Sequence, residues 1–280
     1  METIRGKQSL MMDRIMLTER LRGYEQILID IGAGDGRFVR QVAQAHPNIF
    51  ALGIDACREN LRRTSRLSPA NALYVIANAY TLPCELYGLA SHLAIHFPWG
   101  SLLNGLLAGD DALLGGLASL AQPGAHIELW LNGGALHEAG WPLDEGARRV
   151  QVNLSIAGFG LSAPRTMGAE DLRHLPTTWA RRLAFGRDPR GIVMYGQWVG
   201  AAAPTQSLSC NGQSPRSVSP ICKVCLVSYL LYALSGSNDD KRHLRRDTHL
   251  CSDCRIMGAH AESNAPRAVG SAFYEHQLPA

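Results

Sequence analysis

The feature that most limits what this chain can become is a short glycine-rich turn, Asp30-Ile31-Gly32-Ala33-Gly34-Asp35-Gly36. It joins two segments of different period. Before it, Gln26–Ile31 is short, apolar and isoleucine-rich, the pattern of a buried strand. After it, from Asp35 to about Ala45, the residues Phe38, Val42 and Ala45 share one helical face, and His46-Pro47-Asn48 ends the run. Glycines at such a joint let the backbone turn tightly and let a ligand approach without meeting a Cβ. The alternation continues along the chain. Strands are expected at Ile49–Ile54, Leu73–Ala77, Leu89–Ile95, Ala125–Leu131 (after a turn at Gln122-Pro123-Gly124) and Gly191–Trp198. Helices are expected at Cys57–Arg66, Ala147–Ala157 and, more weakly, around Leu183. Repeated βα units predict an α/β fold with a mostly parallel sheet covered on both faces, and a ligand at the carboxyl ends of the strands.

Two cofactor classes fit a strand–glycine turn–helix unit followed by an acid, here Asp55, at the end of the next strand. A dinucleotide fold uses G-x-G-x-x-G and sets pyrophosphate on the helix N-terminus. This turn reads G-x-G-x-G and places Asp30 and Asp35 where pyrophosphate would be repelled. S-adenosylmethionine carries no phosphate but has a sulfonium and an ammonium, which carboxylates stabilise. The acidic turn therefore favours S-adenosylmethionine over NAD. An ordinary βα turn remains the third alternative.

Two tryptophans stand out. Trp99 follows the fourth expected strand in His96-Phe97-Pro98-Trp99-Gly100-Ser101, where a reacting group should lie. Trp179 lies in Thr177-Thr178-Trp179-Ala180-Arg181-Arg182-Leu183-Ala184-Phe185-Gly186-Arg187, an aromatic followed by three arginines. Enzymes that act on a base flip it out and stack it on aromatic rings. The alternative is two core tryptophans, since tryptophan is buried on average.

Four segments, Ile29–Arg37, Gly53–Leu61, Phe97–Leu103 and Thr177–Arg187, match in order and spacing a known family. Over roughly residues 1–200 the chain resembles the aminoglycoside-resistance methyltransferases that modify N1 of adenine 1408 in the 16S rRNA decoding site. The resemblance implies a class I, Rossmann-like methyltransferase fold with a seven-stranded sheet and S-adenosylmethionine as methyl donor. It implies donor contacts at Asp30, Gly32, Gly34, Asp55, Ala79 and Ser101. Pro98 would shape the site through its carbonyl, and Trp99 and Trp179 would sandwich the flipped adenine, with Thr177 helping to order the site. Arg62, Arg63, Arg66, Arg182 and Arg187 would hold rRNA phosphates. The implied partner is 16S rRNA within the 30S subunit, met by a monomer. The chain departs from the family in three places. Tyr80 stands where some relatives have an acid, Ser65–Ala72 is shorter and less basic, and Asp188-Pro189 interrupts the last basic run. His96 lies near the expected site, but adenine N1 carries no proton to remove, so no acid–base role is assigned to it.

Composition limits the rest. Hydrophobic residues make up 46% and charged residues 18%, enough apolar content for a packed core. No run of about 18 apolar residues exists and no apolar leader follows Met1, so a cytoplasmic protein without a membrane span is expected. The net charge of +3 neither requires nor excludes a nucleic-acid partner. A Ser/Asn/Gly/Pro-rich stretch from Ala203 to Pro220 suggests a methyltransferase domain over residues 1–202 and an extension over 203–280. Cys222, Cys225, Cys251 and Cys254 form two C-x₂-C pairs with the chemistry of a tetrahedral zinc site, although their separation is long for a ribbon. The other reading is a disordered extension without metal. Two other functions stay open on sequence: a small-molecule methyltransferase, and an RNA-binding relative without activity.

Overall fold

The structure is a computed structural model, and it describes residues 1–200 apart from Pro176, Arg187 and Asp188. The boundary expected near residue 203, the four tail cysteines and Arg187 lie outside the described residues.

The chain opens with a hairpin of β1 (Glu2–Arg5) and β2 (Gln8–Met11), then α1 (Arg14–Leu21). The βα repeats follow as β3 (Gln26–Ile31), α2 (Arg37–Ala45), β4 (Ile49–Asp55), α3 (Arg58–Leu67) and β5 (Ala72–Ile76). Next come β6 (Ala90–His96), α4 (Gly100–Ala108), α5 (Asp111–Leu120) and β7 (Ala121–Asn132). The last part holds α6 (Gly133–Glu138), α7 (Leu143–Ile156), β8 (Phe159–Leu161), β9 (Arg165–Met167), α8 (Ala169–His174), α9 (Thr178–Ala184) and β10 (Gly191–Trp198).

All strands of the described residues join one sheet in the order β2-β1-β5-β4-β3-β6-β7-β10-β8, with β9 beside β10. From β5 to β7 the pairings are parallel, and β10 enters antiparallel to both β7 and β8. The expected seven-stranded sheet is the stretch from β5 to β8. The N-terminal hairpin and β9 extend it, so the sheet has ten strands. These additions are three or four residues long, too short to show a clear period in sequence.

A second departure lies in β7. The Gln122-Pro123-Gly124 segment is not a turn before the strand but part of it. Two steps along β6, Ala90 to His92, match five along β7, Ala121 to His126. The extra residues form a bulge, where a proline without an N–H and a glycine at φ +78° are tolerated. Gln122 Nε2 donates to Leu89 O at 2.8 Å and closes it.

Alternate residues of the central strands feed different layers. Ile29 and Ile31 join a core with α1, α4, α5 and α7 on one face, while Leu28 joins α2 and α3 on the other. A third cluster of Phe97, Trp130, Met167, Leu172, Ala180 and Val193 secures α8 and α9 to that second face. Gly36 starts α2 at φ +71°, and a Cβ there would lie 2.5 Å from the Tyr74 ring. Tyr74 in turn donates its hydroxyl to Gly36 O. Gly36→Ala therefore incurs both a left-handed backbone and an overlap, together roughly 2–4 kcal/mol. Urea unfolding should show a lower midpoint with an unchanged slope; an unchanged midpoint would refute the packing described.

Candidate active site

A cleft of about 300 Å³ opens at the carboxyl ends of β3 to β6. This is where β3 pairs with β4 on one side and β6 on the other, the topological switch point of the sheet. Its floor is Ile31, Gly32 and Gly34; one wall is Ile54, Asp55 and Asn60, and another is Ala77 to Tyr80. The rim carries Pro98, Trp99, Ser101 and Trp179. A wider hollow of about 440 Å³, between Pro142–Glu145, Arg148, Thr166 and Arg190, contains none of the expected site residues.

The glycine turn is held in place by the next loop. Gly32 and Ala33 donate their N–H groups to Ile54 O, both at 2.9 Å. Asp55 accepts from Gly34 N through Oδ2 and from Cys57 N through Oδ1, both at 2.8 Å. Burial pushes the Asp55 carboxyl up, and these two N–H groups and Asn60 pull it back toward the ionised form. With these three donors, the carboxylate keeps about one further lone-pair site for a ribose hydroxyl. A Cβ on Gly34 would meet no protein atom, so the turn presents bare backbone to the cleft. Such a surface fits a nucleoside with a cationic tail.

Asp30 does not line the cleft. It is 3% exposed beneath the turn, and its Oδ1 has no hydrogen-bond partner. Burial pushes its carboxyl up to about 7; the His96 charge opposes this, and Asp55, Glu128 and Asp35 add to it. Asp35, expected beside the ligand, is used structurally. Its Oδ2 accepts the Thr178 hydroxyl at 2.9 Å and lies 3.2 Å from Arg37 Nε.

That bond moors α9 to the glycine turn. Thr177 caps α9 by accepting from Ala180 N at 3.0 Å. Trp179 therefore projects over the cleft from a helix fixed at its start. Trp99 is fixed from the other side. Phe97 is buried at φ +51°, an unusual conformation for a non-glycine residue, and its N–H donates to Trp130 O at 2.7 Å. The two indoles stack at 5.8 Å between centroids and 23° between planes, each 43% exposed. The core-tryptophan reading fails for both. Arg182 places its guanidinium 5.2 Å from the Trp179 ring centre.

Tyr80 explains itself here. Its hydroxyl donates to Ser101 O at 3.0 Å, bracing the start of α4. Gly105 makes room for it, since any Cβ there would overlap the phenol oxygen. Arg62, Arg63 and Arg66 are exposed on α3 and outside the cleft. Thr178, Asn60 and Asn78 were not legible in the sequence. A lone polar residue carries no periodicity, and Thr178 acts through Asp35, 143 residues away in the chain. No cluster of three or more metal-ligand side chains occurs among the described residues.

Comparison with known proteins bears on this geometry. The NpmA family model, 16S rRNA (adenine(1408)-N(1))-methyltransferase, matches residues 2–197. A 16S rRNA (adenine(1408)-N(1))-methyltransferase of Escherichia coli is 31% identical over 202 residues, covering 66% of this chain and 92% of that protein. Among solved structures, a tryptophan-to-alanine variant of the corresponding enzyme from Catenulisporales acidiphilia, with its cosubstrate SAM, is similar at a TM-score of 0.63 and 25% identity. The likeness covers 73% of this chain and 99% of that one. The aminoglycoside resistance methyltransferase NpmB1 is similar at a TM-score of 0.59 and 28% identity, over 71% and 99% of the two chains.

The buried Asp30 has a measurable consequence. A carboxyl with a folded value near 7 against an unfolded 3.8 stabilises the fold at low pH and loses that contribution as pH rises through about 7. Asp30→Asn should therefore melt higher than the parent chain at about pH 8, by up to roughly 4 kcal/mol, and show less than half that gain, roughly 1.6 kcal/mol, near pH 5. Thermal melts without added ligand test this; an equal difference at both pH values would contradict it.

Proposed function

Because this chain belongs to the 16S rRNA (adenine(1408)-N(1))-methyltransferase family, we propose that Trp99 and Trp179 hold the target adenine over a donor site built on Gly32, Gly34, Asp55 and Ala79. The enzyme transfers a methyl group from S-adenosylmethionine to N1 of adenine 1408 in 16S rRNA, and aminoglycoside resistance is the outcome. One observation carries the residue assignment: two half-exposed indoles stacked across the mouth of a glycine-floored cleft.

The donor brings a methyl group on a positively charged sulfur, which leaves as a neutral thioether. Asp55 accepts a ribose hydroxyl, and the Gly32–Gly34 backbone admits the donor's tail. Pro98 stiffens the rim between Phe97 and Trp99. Adenine N1 offers a lone pair and needs no base, so positioning supplies most of the acceleration, up to roughly 7–11 kcal/mol. A base between two rings needs two van der Waals separations, about 7 Å. The indoles stand 5.8 Å apart, so they must part by about 1 Å when the base enters. Thr177 and Thr178 limit that movement at α9, and Tyr80 and Ser101 limit it at α4.

Arg182 faces both Trp179 and the outside, and there it meets a phosphate beside the flipped nucleotide. Arg62, Arg63 and Arg66 give α3 a basic exposed side for a second contact with the rRNA. Arg187 extends this set by sequence alone. The substrate is the assembled 30S subunit, met by a monomer in the cytoplasm. None of these steps draws on zinc at the tail cysteines. The methylated base carries a positive charge on its pairing edge, which repels polycationic drugs.

Methyl transfer to purified 30S subunits, with reverse transcription to locate the mark, tests the reading. The parent chain should give a new stop at adenine 1408. Trp99→Ala or Trp179→Ala should lower transfer about tenfold to a hundredfold, the worth of one stacking surface, while donor affinity changes far less. Unchanged transfer in both variants would refute the clamp. Arg182→Ala should weaken subunit binding and flatten its salt dependence by about one phosphate contact, measured as affinity against salt concentration.

A further inference from the structure

The helix that carries Trp179 ends in an aromatic side chain that the proposed chemistry does not use. Phe185 closes α9 and is 80% exposed, the most exposed of the large apolar side chains among the described residues. The other described phenylalanines, Phe38, Phe50, Phe97 and Phe159, are all buried. A ring left in water forgoes the burial that normally holds an aromatic inside. Packing of the helix does not account for it. α9 sits on the third core cluster through Ala180, Ala184 and the half-buried Leu183, while Arg181, Arg182 and Phe185 face outward.

The backbone that presents this ring is tied at both ends. Gly186 donates its N–H to Leu183 O at 2.9 Å and closes the turn around Phe185. Thr177 and Thr178 fix the start of α9. Trp179, Arg182 and Phe185 follow one another at three-residue steps, so they form one stripe along the helix. The Arg182 guanidinium lies 5.2 Å from the centre of the Trp179 ring, and Arg181 stands one turn before Phe185. Phe185 is thus about 9 Å from Trp179 along the helix, the rise of six residues. A stripe of aromatic, cation and aromatic matches a nucleic-acid strand, in which phosphates run beside the flat faces of successive bases. Taking one base out of the stack uncovers the faces of its neighbours.

We infer that Phe185 is a further substrate contact: its ring stacks on a base of the 16S rRNA strand next to the flipped adenine, covering a face that flipping lays open. The two arginines hold the phosphates alongside, and the ring supplies the apolar surface that phosphate contacts lack. The inference rests on the clamp and the rRNA substrate proposed above. Continuity with the clamp and the positive flank favour a nucleic acid here. A second copy of this chain meeting the same surface across a two-fold axis would bring Arg181 and Arg182 against themselves.

The test is methyl transfer by the full chain to purified 30S subunits at varied subunit concentration, with Phe185→Ala, Phe185→Leu and Phe185→Trp. Phe185→Ala should lower kcat/KM about tenfold, the worth of one stacked base. Its thermal melt, and its affinity for S-adenosylmethionine by calorimetry, should match the parent chain. Phe185→Trp should restore transfer; Phe185→Leu, apolar but without a flat face, should not. Stacking releases no counterions, so subunit affinity plotted against salt concentration should fall in parallel with the parent, where Arg182→Ala changes the slope. Parent-like transfer by Phe185→Ala, or a Trp variant as weak as the Ala variant, would overturn the contact. So would an early melt of Phe185→Ala, which would make the ring a packing element. A parent dimer in sedimentation that Phe185→Ala dissociates would give the surface to a second copy and overturn it as well. A parent chain that binds S-adenosylmethionine but leaves the subunit unmethylated would overturn the rRNA reading itself, and the inference with it.

Discussion

The arrangement of this protein turns on the Asp55 carboxylate, which accepts N–H groups from Gly34 and Cys57. These donors belong to the loops after two adjacent parallel strands. A parallel pair cannot be joined by a tight turn, so its loops are separate in sequence and need a tie. Asp55 supplies it and remains partly open to the cleft. The same carboxylate thus shapes the glycine turn and lines the cleft.

A second tie carries the half with the two rim tryptophans. The Thr178 hydroxyl reaches Asp35, so the helix bearing Trp179 is fixed to the turn that floors the cleft. Phe97, buried against Trp130, fixes Trp99 on the opposite side. Both indoles stay half exposed because the residues beside them, not they, enter the core. An aromatic pair held open to solvent forgoes burial and keeps its faces for a ligand. Asp30, His96 and Glu128 likewise leave buried polar atoms without hydrogen-bond partners under the cleft.

Much of this was legible without coordinates. The glycine turn, the strand periods and the two tryptophan motifs carry local signals, and local signals survive in a linear reading. The tryptophan motifs were the informative ones, because a glycine turn alone fits several cofactor classes. What the chain did not reveal was short or long-range. The hairpin at Glu2–Met11 has too few residues to show alternation. The bulge at Gln122-Pro123-Gly124 looks like a turn because proline and glycine mark both. Tyr80 stands out in sequence only as a departure from an acid, and its bracing role appears once Ser101 and Gly105 are seen around it.

The sequence by itself determined the βα architecture, the place of the glycine turn and the residue types at the rim of the cleft. Each follows from spacing within a few residues, where chain connectivity already sets the geometry. The tertiary structure decided which carboxylates face the cleft and which lie under it. Asp30 and Asp35 are five residues apart in one motif, yet one is buried and unpaired at Oδ1 while the other moors α9. Strand pleat sends successive side chains to opposite faces, and only the packing of distant strands and helices settles what each face meets. The charge around Asp30 likewise depends on His96 and Glu128, brought to it through the pairing of β3, β6 and β7.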